Sequence, residues 1–193
     1  LLDGGVDALL VETCQDPLQI RCAVHAALHA LEARGMGPEP WPIMVSVTVE
    51  TTGTLLVGSE ISAVASTLRC LPVASLGLNC ATGPAEMTPH VEWLAKHWDR
   101  PISVVPNAGL PILVDGRTEY PLQAAPMAER MSGFVGELGV SMIGGCCGTT
   151  TEHIGALRGM LEHSAPASRS KVSFAPSTSS VFGTVEHRQE NSV

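Results

Sequence analysis

Short apolar runs alternate five times with longer segments of helical period in this sequence. The runs are rich in Val, Ile, Leu and Met and occupy residues 6–11, 43–49, 75–79, 102–105 and 140–143. The segment after each run repeats apolar residues three or four positions apart, as in Ile20, Val24 and Leu28. Each pair is typical of a buried strand followed by an amphipathic helix. The sequence therefore predicts an α/β fold with a parallel sheet buried on both faces.

Two architectures satisfy this alternation, and periodicity does not choose between them. One is an open, doubly wound sheet, and the other is the C-terminal part of a (β/α)₈ TIM barrel whose earlier units lie upstream. Both place functional groups at the carboxyl ends of the strands. The chain starts with Leu1 directly in a hydrophobic pattern, so we expect it to be part of a longer polypeptide.

The alternation ends near His163, and the remaining residues are rich in Ser and Pro. This composition is typical of a linker or a loosely packed tail. We therefore predict a partial barrel over residues 1–163 and an interdomain linker over residues 164–193.

The charge and the cysteine usage exclude several classes of protein. Nineteen acidic residues against eleven basic ones give a net charge of −8, and no dense basic block is present, so we expect no nucleic-acid partner. No apolar run approaches the ~18 residues of a membrane span, so we expect no membrane partner. Six cysteines without secretory context or framework spacing predict reduced thiols in a cytoplasmic protein.

Polar groups follow the predicted strands where each one ends. They are Glu12, Cys80, Asn107, Cys146 and Cys147. Because the carboxyl ends of parallel strands share one edge, the three thiols can meet although they are distant in sequence. Three thiolates are the ligand set of a zinc site whose fourth position is open. The alternative is that these cysteines are small buried residues in a glycine-rich turn, and the spacing leaves both interpretations open.

The adjacent pair Cys146–Cys147 favours a metal site over a redox pair. Neighbouring cysteines form a disulfide only through a strained ring, whereas both can approach one ion. Thr149 and Glu152 match a capping box, which predicts a helix start whose positive end favours thiolates. Other cysteines carry no such pattern. We interpret Cys22 and Cys70 as core or inert thiols and prefer a structural role for Cys14.

Four motifs in the same order resemble the homocysteine S-methyltransferase domain family. They are "VET" at 11–13, "GLNCA" at 77–81, "PNAGLP" at 106–111 and "IGGCCGTTTEHI" at 143–154. The resemblance implies a (β/α)₈ barrel of which this chain supplies strands four to eight. It also implies zinc bound by Cys80, Cys146 and Cys147, with Glu12 receiving the ammonium of homocysteine. Asn107 would line the pocket or offer its amide oxygen to zinc, unless it is a simple turn residue.

The tail narrows the resemblance to one branch of the family. Residues 176–193 resemble the segment that joins the homocysteine barrel to a folate barrel in cobalamin-dependent members. This implies folate and cobalamin domains in the same full-length chain, and methylcobalamin, bound by another domain, as the methyl donor that converts homocysteine to methionine. The sequence departs from the pattern of the family in three ways. Thr151 stands where proline is frequent, Cys14 stands where a bulkier residue is usual, and the first three βα units of the barrel are absent.

Two alternatives remain open at the level of the sequence. A homocysteine methyltransferase that uses S-methylmethionine or betaine would share the thiol motifs. A non-catalytic structural zinc protein would close the metal site with a fourth protein ligand. In every case we expect residues 1–193 alone to be inactive, because five of eight units cannot close a barrel.

Overall fold

The structure is a computed structural model of the chain and describes residues 1–37, 39 and 41–187. The last residues of the predicted tail, 188–193, lie outside the described residues. A short 3-10 turn at Leu2–Gly4 precedes the regular elements. These are, in chain order, β1 (Leu9–Cys14), α1 (Pro17–Glu32), β2 (Ile43–Val47), α2 (Ile61–Leu68), β3 (Val73–Asn79), α3 (Pro84–His97), β4 (Ile102–Val105), β5 (Ile112–Val114), β6 (Arg117–Glu119), α4 (Ala124–Gly136), β7 (Met142–Ile143), α5 (Thr151–Leu161), β8 (Ser177–Ser179) and β9 (Thr184–Glu186).

The main sheet has five parallel strands in the order β1-β2-β3-β4-β7. Each strand lies beside the next strand of the sheet along the chain, and the order never reverses. A doubly wound sheet would reverse at a switch point, whereas a barrel adds its strands in sequence. The strand order therefore selects the partial barrel among the two architectures that the sequence allowed.

Burial decreases from the middle of this sheet to its edges. Strands β2 and β3 are almost wholly buried, whereas most of β1 and both residues of β7 are partly or fully exposed. The predicted burial on both faces thus holds for the central strands only, because β1 and β7 each have one neighbouring strand among the described residues. The core contains Trp98 and the apolar stripes of the helices, including Ile20, Leu31, Leu68, Met87, Leu94 and Met127.

Two helix starts follow their sequence signals. Asp16 caps α1, because its Oδ1 accepts a hydrogen bond from the Leu18 N–H at 2.8 Å, and Pro17 occupies the first turn. Gly83 precedes α3, which begins at Pro84, and Glu86 Oε2 accepts from the Gly83 N–H at 3.1 Å.

Other local predictions are wrong. Strand β1 begins at Leu9 rather than at residue 6, so Glu12 and Cys14 lie within the strand and not after it. The predicted capping box of Thr149 and Glu152 does not form. Instead, α5 is capped at Thr150, whose N–H donates to His153 Nδ1 at 3.2 Å, and Thr149 donates to the Cys146 carbonyl.

The cysteines outside the strand ends are free thiols in different surroundings. Cys22 and Cys70 are exposed, so neither belongs to the core. Cys22 lies on α1, and Cys70 lies in the turn that follows α2. Cys14 is only 4% exposed and belongs to the apolar core, which fits the structural role expected for it.

Two hairpins accompany the main sheet. Strands β5 and β6 pair within the loop that follows β4, and β8 and β9 pair within the predicted linker. That segment contacts the barrel through Arg169, which donates to the Trp98 carbonyl at 2.6 Å, and through the Phe182 carbonyl, which accepts from Glu60 N–H at 2.9 Å. No described helix combines the length and apolar character that a membrane crossing requires.

Candidate metal centre

Three sulfur atoms meet at the carboxyl edge of the sheet. Cys80 directly follows β3, and Cys146 and Cys147 lie in the turn between β7 and α5. The Sγ of Cys147 is 3.7 Å from that of Cys80 and 3.9 Å from that of Cys146, and all three sulfurs lie within 4.8 Å of one another. The convergence predicted from the strand ends therefore occurs.

The spacing of these sulfurs suits a tetrahedral zinc ion. With Zn–S bonds of about 2.3 Å, two sulfurs at corners of a regular tetrahedron stand about 3.8 Å apart. Two of the sulfur pairs match that edge. Among the residues that the structure describes, no further His, Cys, Asp or Glu joins the group. The described part of the chain thus offers three protein ligands. A zinc site with three protein ligands can accept a fourth ligand from outside the protein.

Backbone hydrogen bonds to the end of β4 and to the loop after it hold both cysteine turns in place. The Cys80 N–H donates to the Val105 carbonyl at 3.1 Å, and the Cys146 N–H donates to the Pro106 carbonyl at 2.8 Å. Gly148 has a φ of 78°, and a Cβ there would stand 2.2 Å from Cγ of Tyr120. Glycine is thus required at this position by both the backbone and the packing.

Asn107 lies in the same loop and is 2% exposed. Its Oδ1 accepts a hydrogen bond from the Cys147 N–H at 3.0 Å, and its own N–H donates to the Thr82 carbonyl at 3.0 Å. The next residue, Ala108, donates to the Cys147 carbonyl at 2.9 Å. The amide oxygen of Asn107 therefore orients the cysteine turn, which gives this residue a structural task beside the metal-binding one that the sequence left open.

Burial raises the pKa of the Cys146 thiol to about 12, with further contributions from the hydrogen bond and charge of Cys80 and then of Cys147. This direction is opposite to the one expected from the nearby start of α5. Loss of hydration and the crowding of three sulfurs outweigh the partial positive charge of the helix end. Without a metal ion, Cys146 is therefore a neutral thiol at physiological pH.

Two residues beside the cluster were missed by the sequence analysis. Tyr120 packs its ring on Gly148, and its pKa is raised first by burial and then by the charge and hydrogen bond of Cys147. His153 is 7% exposed, and its Nε2 lies 2.8 Å from the Leu122 carbonyl. Because its Nδ1 accepts the Thr150 N–H, Nε2 carries the proton and donates to that carbonyl. Tyr120 is the single tyrosine of the chain, but nothing in its sequence neighbourhood indicated a place near the thiols.

Glu12 lies on β1, two strands away from β3, and is exposed. Its neighbour Thr13 is hydrogen-bonded to Asn79, the residue that precedes Cys80. The hydrogen-bonded pair Thr13–Asn79 therefore lies between Glu12 and the thiol cluster. Among the described interactions, none joins the Glu12 carboxylate directly to a sulfur.

Sequential parallel strands with a thiol cluster at their carboxyl edge define a barrel-type α/β protein with a candidate metal centre. The sequence profile described as homocysteine S-methyltransferase matches residues 1–161. The chain belongs to the homocysteine S-methyltransferase family.

Two curated relatives match along the whole chain. Methionine synthase of Mycobacterium leprae (strain TN) is 47% identical over 197 aligned residues, and methionine synthase of Mycobacterium tuberculosis (strain ATCC 25618 / H37Rv) is 47% identical over 193. Both alignments cover 100% of this chain, which spans only 16% of the length of either relative.

Solved structures of the homocysteine methyltransferase MmuM from Escherichia coli share the fold. The apo form superposes with a TM-score of 0.61 at 25% identity, covering 83% of this chain and 51% of that protein. The metallated form gives 0.58 at 26% identity, covering 82% of this chain and 46% of that protein. The barrel is thus only partly present in these 193 residues.

Proposed function

We propose that this chain is the homocysteine-binding part of a methionine synthase and that Cys80, Cys146 and Cys147 bind zinc there. The observation that carries the proposal is the convergence of three sulfurs within 4.8 Å at the carboxyl edge of a partial barrel of this family. Zinc held by three thiolates would supply a Lewis acid that keeps a substrate thiol in its nucleophilic thiolate form at neutral pH.

The residues of the chain contribute orientation and charge. Asn107 and the carbonyl of Pro106 hold the amides of Cys147 and Cys146, so both sulfurs keep their direction toward Cys80. Glu12 offers a carboxylate at the same edge of the sheet, where it would pair with the ammonium group of homocysteine. The substrate would therefore be held at its amino end by charge and at its sulfur end by the metal.

The methyl donor that we propose is methylcobalamin, carried by a cobalamin domain of the full-length chain together with a folate domain. The support is that both mycobacterial methionine synthases align with 100% of this chain, including the predicted linker. S-methylmethionine or betaine would serve as donor in the alternative enzyme. Six free cysteines fit a reducing compartment, so we place the reaction in the cytoplasm.

A structural zinc site is the alternative from another class. It requires a fourth protein ligand, and within residues 1–37, 39 and 41–187 only three metal-competent side chains come together. This supports a site that is open to substrate.

The test is zinc analysis of the full-length gene product that contains this sequence. We expect one zinc bound at this site, and zinc K-edge absorption should show one additional sulfur scatterer after homocysteine is added. The Cys146→Ala variant should lose most of this zinc and the homocysteine-dependent methyl transfer. Cys70→Ala is the matched control, because it removes an exposed thiol that does not belong to the sulfur cluster, and it should leave the zinc content and the methyl transfer unchanged.

Four sulfur or nitrogen ligands from the protein before substrate is added would contradict the open site. Full zinc retention in Cys146→Ala would contradict the assignment of the ligands. Supplying methylcobalamin, S-methylmethionine or betaine in turn as the donor would separate the two enzyme alternatives.

A further inference from the structure

Asn79 is the last residue of β3 and is 1% exposed. Its side-chain amide makes three hydrogen bonds across the sheet. The Oδ1 accepts hydrogen bonds from the Ser46 hydroxyl at 2.7 Å and from the Thr13 N–H at 3.2 Å, and the Nδ2 donates to Thr13 Oγ1 at 2.8 Å. The buried side chain of Asn79 therefore joins the end of β1 to the end of β3, directly before Cys80.

Strand β1 contains one extra residue at this place. Its register with β2 passes from Val11 opposite Val45 to Cys14 opposite Val47, so Glu12 and Thr13 together stand opposite Ser46. A bulge of this kind redirects the side chains of the strand that contains it. The direction of the Glu12 side chain thus depends on how the bulge is held.

The bulge is also strained. Thr13 has a φ of 58°, which is unfavourable for a β-branched residue. Cys80 and Ala81, with φ of 61° and 57°, are two more of the four described non-glycine residues with positive φ. Such outliers cluster at functional sites and persist only where the surroundings hold them. Here the side chain of Asn79 is hydrogen-bonded to Thr13, and its backbone continues directly into Cys80.

We propose that Asn79 is a positioning residue that fixes the Glu12 carboxylate relative to the three thiols, and thereby selects thiol substrates that carry an amino group. This inference rests on the proposed function, because it needs Glu12 to receive the substrate ammonium and the cysteines to hold the metal. Asn79 itself would touch neither the substrate nor the metal. Its hydrogen bonds to Thr13 set where the carboxylate stands.

The test compares homocysteine with 4-mercaptobutanoate, the same molecule without its amino group, in the full-length gene product. We expect Asn79→Ala to weaken homocysteine binding by about 10- to 100-fold, the range of a hydrogen bond to a charged group. Binding of 4-mercaptobutanoate, measured as an inhibition constant, should not change, and neither should the zinc content. The effect should appear in KM and kcat/KM more than in kcat.

Two further variants provide a second test of the same hydrogen bonds and a control. Thr13→Val preserves the shape of the side chain but removes the acceptor for Asn79 Nδ2, so it should weaken homocysteine binding several-fold even if Asn79→Ala folds poorly. Ser75→Ala is the matched control, since Ser75 is a buried polar residue of the same strand as Asn79, and its Oγ has no hydrogen-bond partner among the described residues. It should leave both ligands unaffected.

A double-mutant cycle with Glu12→Gln decides whether Asn79 acts through Glu12. If it does, the double variant should bind homocysteine no more weakly than the worse single variant. If the losses of homocysteine binding in the two single variants add up in the double variant, the inference is overturned. It is also overturned if Asn79→Ala and Thr13→Val weaken the binding of homocysteine and of 4-mercaptobutanoate equally. Failure of the unmodified protein to prefer homocysteine over 4-mercaptobutanoate, or to bind either at zinc, would instead overturn the proposed function.

Discussion

Cys146 shows how strongly its surroundings alter the chemistry of one residue. It is partly buried and has two sulfurs as neighbours, and these conditions raise its pKa to about 12. A thiol with this pKa is a poor nucleophile at neutral pH. A divalent cation reverses the situation, because the ligand form is the thiolate and the positive charge compensates its burial.

We therefore predict that zinc binding releases close to one proton from Cys146 at pH 8. The metal-free thiol is protonated well below a pKa of about 12 and the bound form is not, so zinc affinity should fall as pH falls, by about tenfold per unit from this residue alone. Calorimetry in buffers of different ionisation enthalpy measures the released protons. Cys70→Ala should release the same number. Binding without proton release would contradict the assignment of Cys146.

At the scale of elements, the start of α5 connects the thiol turn to the loop that carries Tyr120. His153 accepts the Thr150 N–H at Nδ1 and donates to the Leu122 carbonyl at Nε2, so one imidazole caps the helix and fastens the loop. Cys146 and Cys147 lie in the turn that leads into this helix, with three residues between Cys147 and its first residue, Thr151. The direction of the two sulfurs thus depends on a residue that binds no metal, as is common around metal ligands.

We predict that His153→Ala lowers the free energy of unfolding by about 2 kcal/mol, because it removes the cap and leaves a carbonyl without its donor. It should also weaken zinc binding. Denaturant titration and a competition assay with a chelator measure the two effects. His163→Ala is the control, since His163 is exposed just beyond α5 and should change neither quantity. Equal effects of the two substitutions would show that His153 has no special role.

At the scale of the whole molecule, the five-stranded sheet has two edges. Within the part of the chain that the structure describes, β1 and β7 each pair with a strand on one side only, and Leu10 on β1 is 48% exposed. Unpaired strands with apolar side chains are templates for association with other chains. Closing the barrel would require further strands between these edges, as the coverage of about half of MmuM also indicates.

We predict that residues 1–193, expressed alone, self-associate and do not transfer a methyl group to homocysteine. Leu10→Lys should reduce the association in sedimentation velocity, because a charge on the edge strand opposes pairing. Leu161→Lys is the matched control, since Leu161 is 42% exposed on α5 and away from β1, and it should have little effect. A monomeric, active fragment would contradict this prediction.

Much of the fold and the centre of the candidate site were predictable from the sequence. The apolar periodicity identified the five strand–helix units, although the first strand was placed three residues early. Cys80, Cys146 and Cys147 were predicted to converge because the carboxyl ends of parallel strands share an edge. Asn79, Tyr120 and His153 were not predicted to matter, since their roles come from contacts across strands and hairpins that no local pattern records.

The alternation of strands and helices and the chemistry available at the strand ends follow from the amino-acid sequence alone, because both depend on residue type and spacing along the chain. The sequential strand order, the distances between the sulfurs and the rise in the pKa of Cys146 arise only when the chain is folded. The reason is that strand neighbours, burial and hydrogen bonds across the sheet join residues that are far apart in sequence.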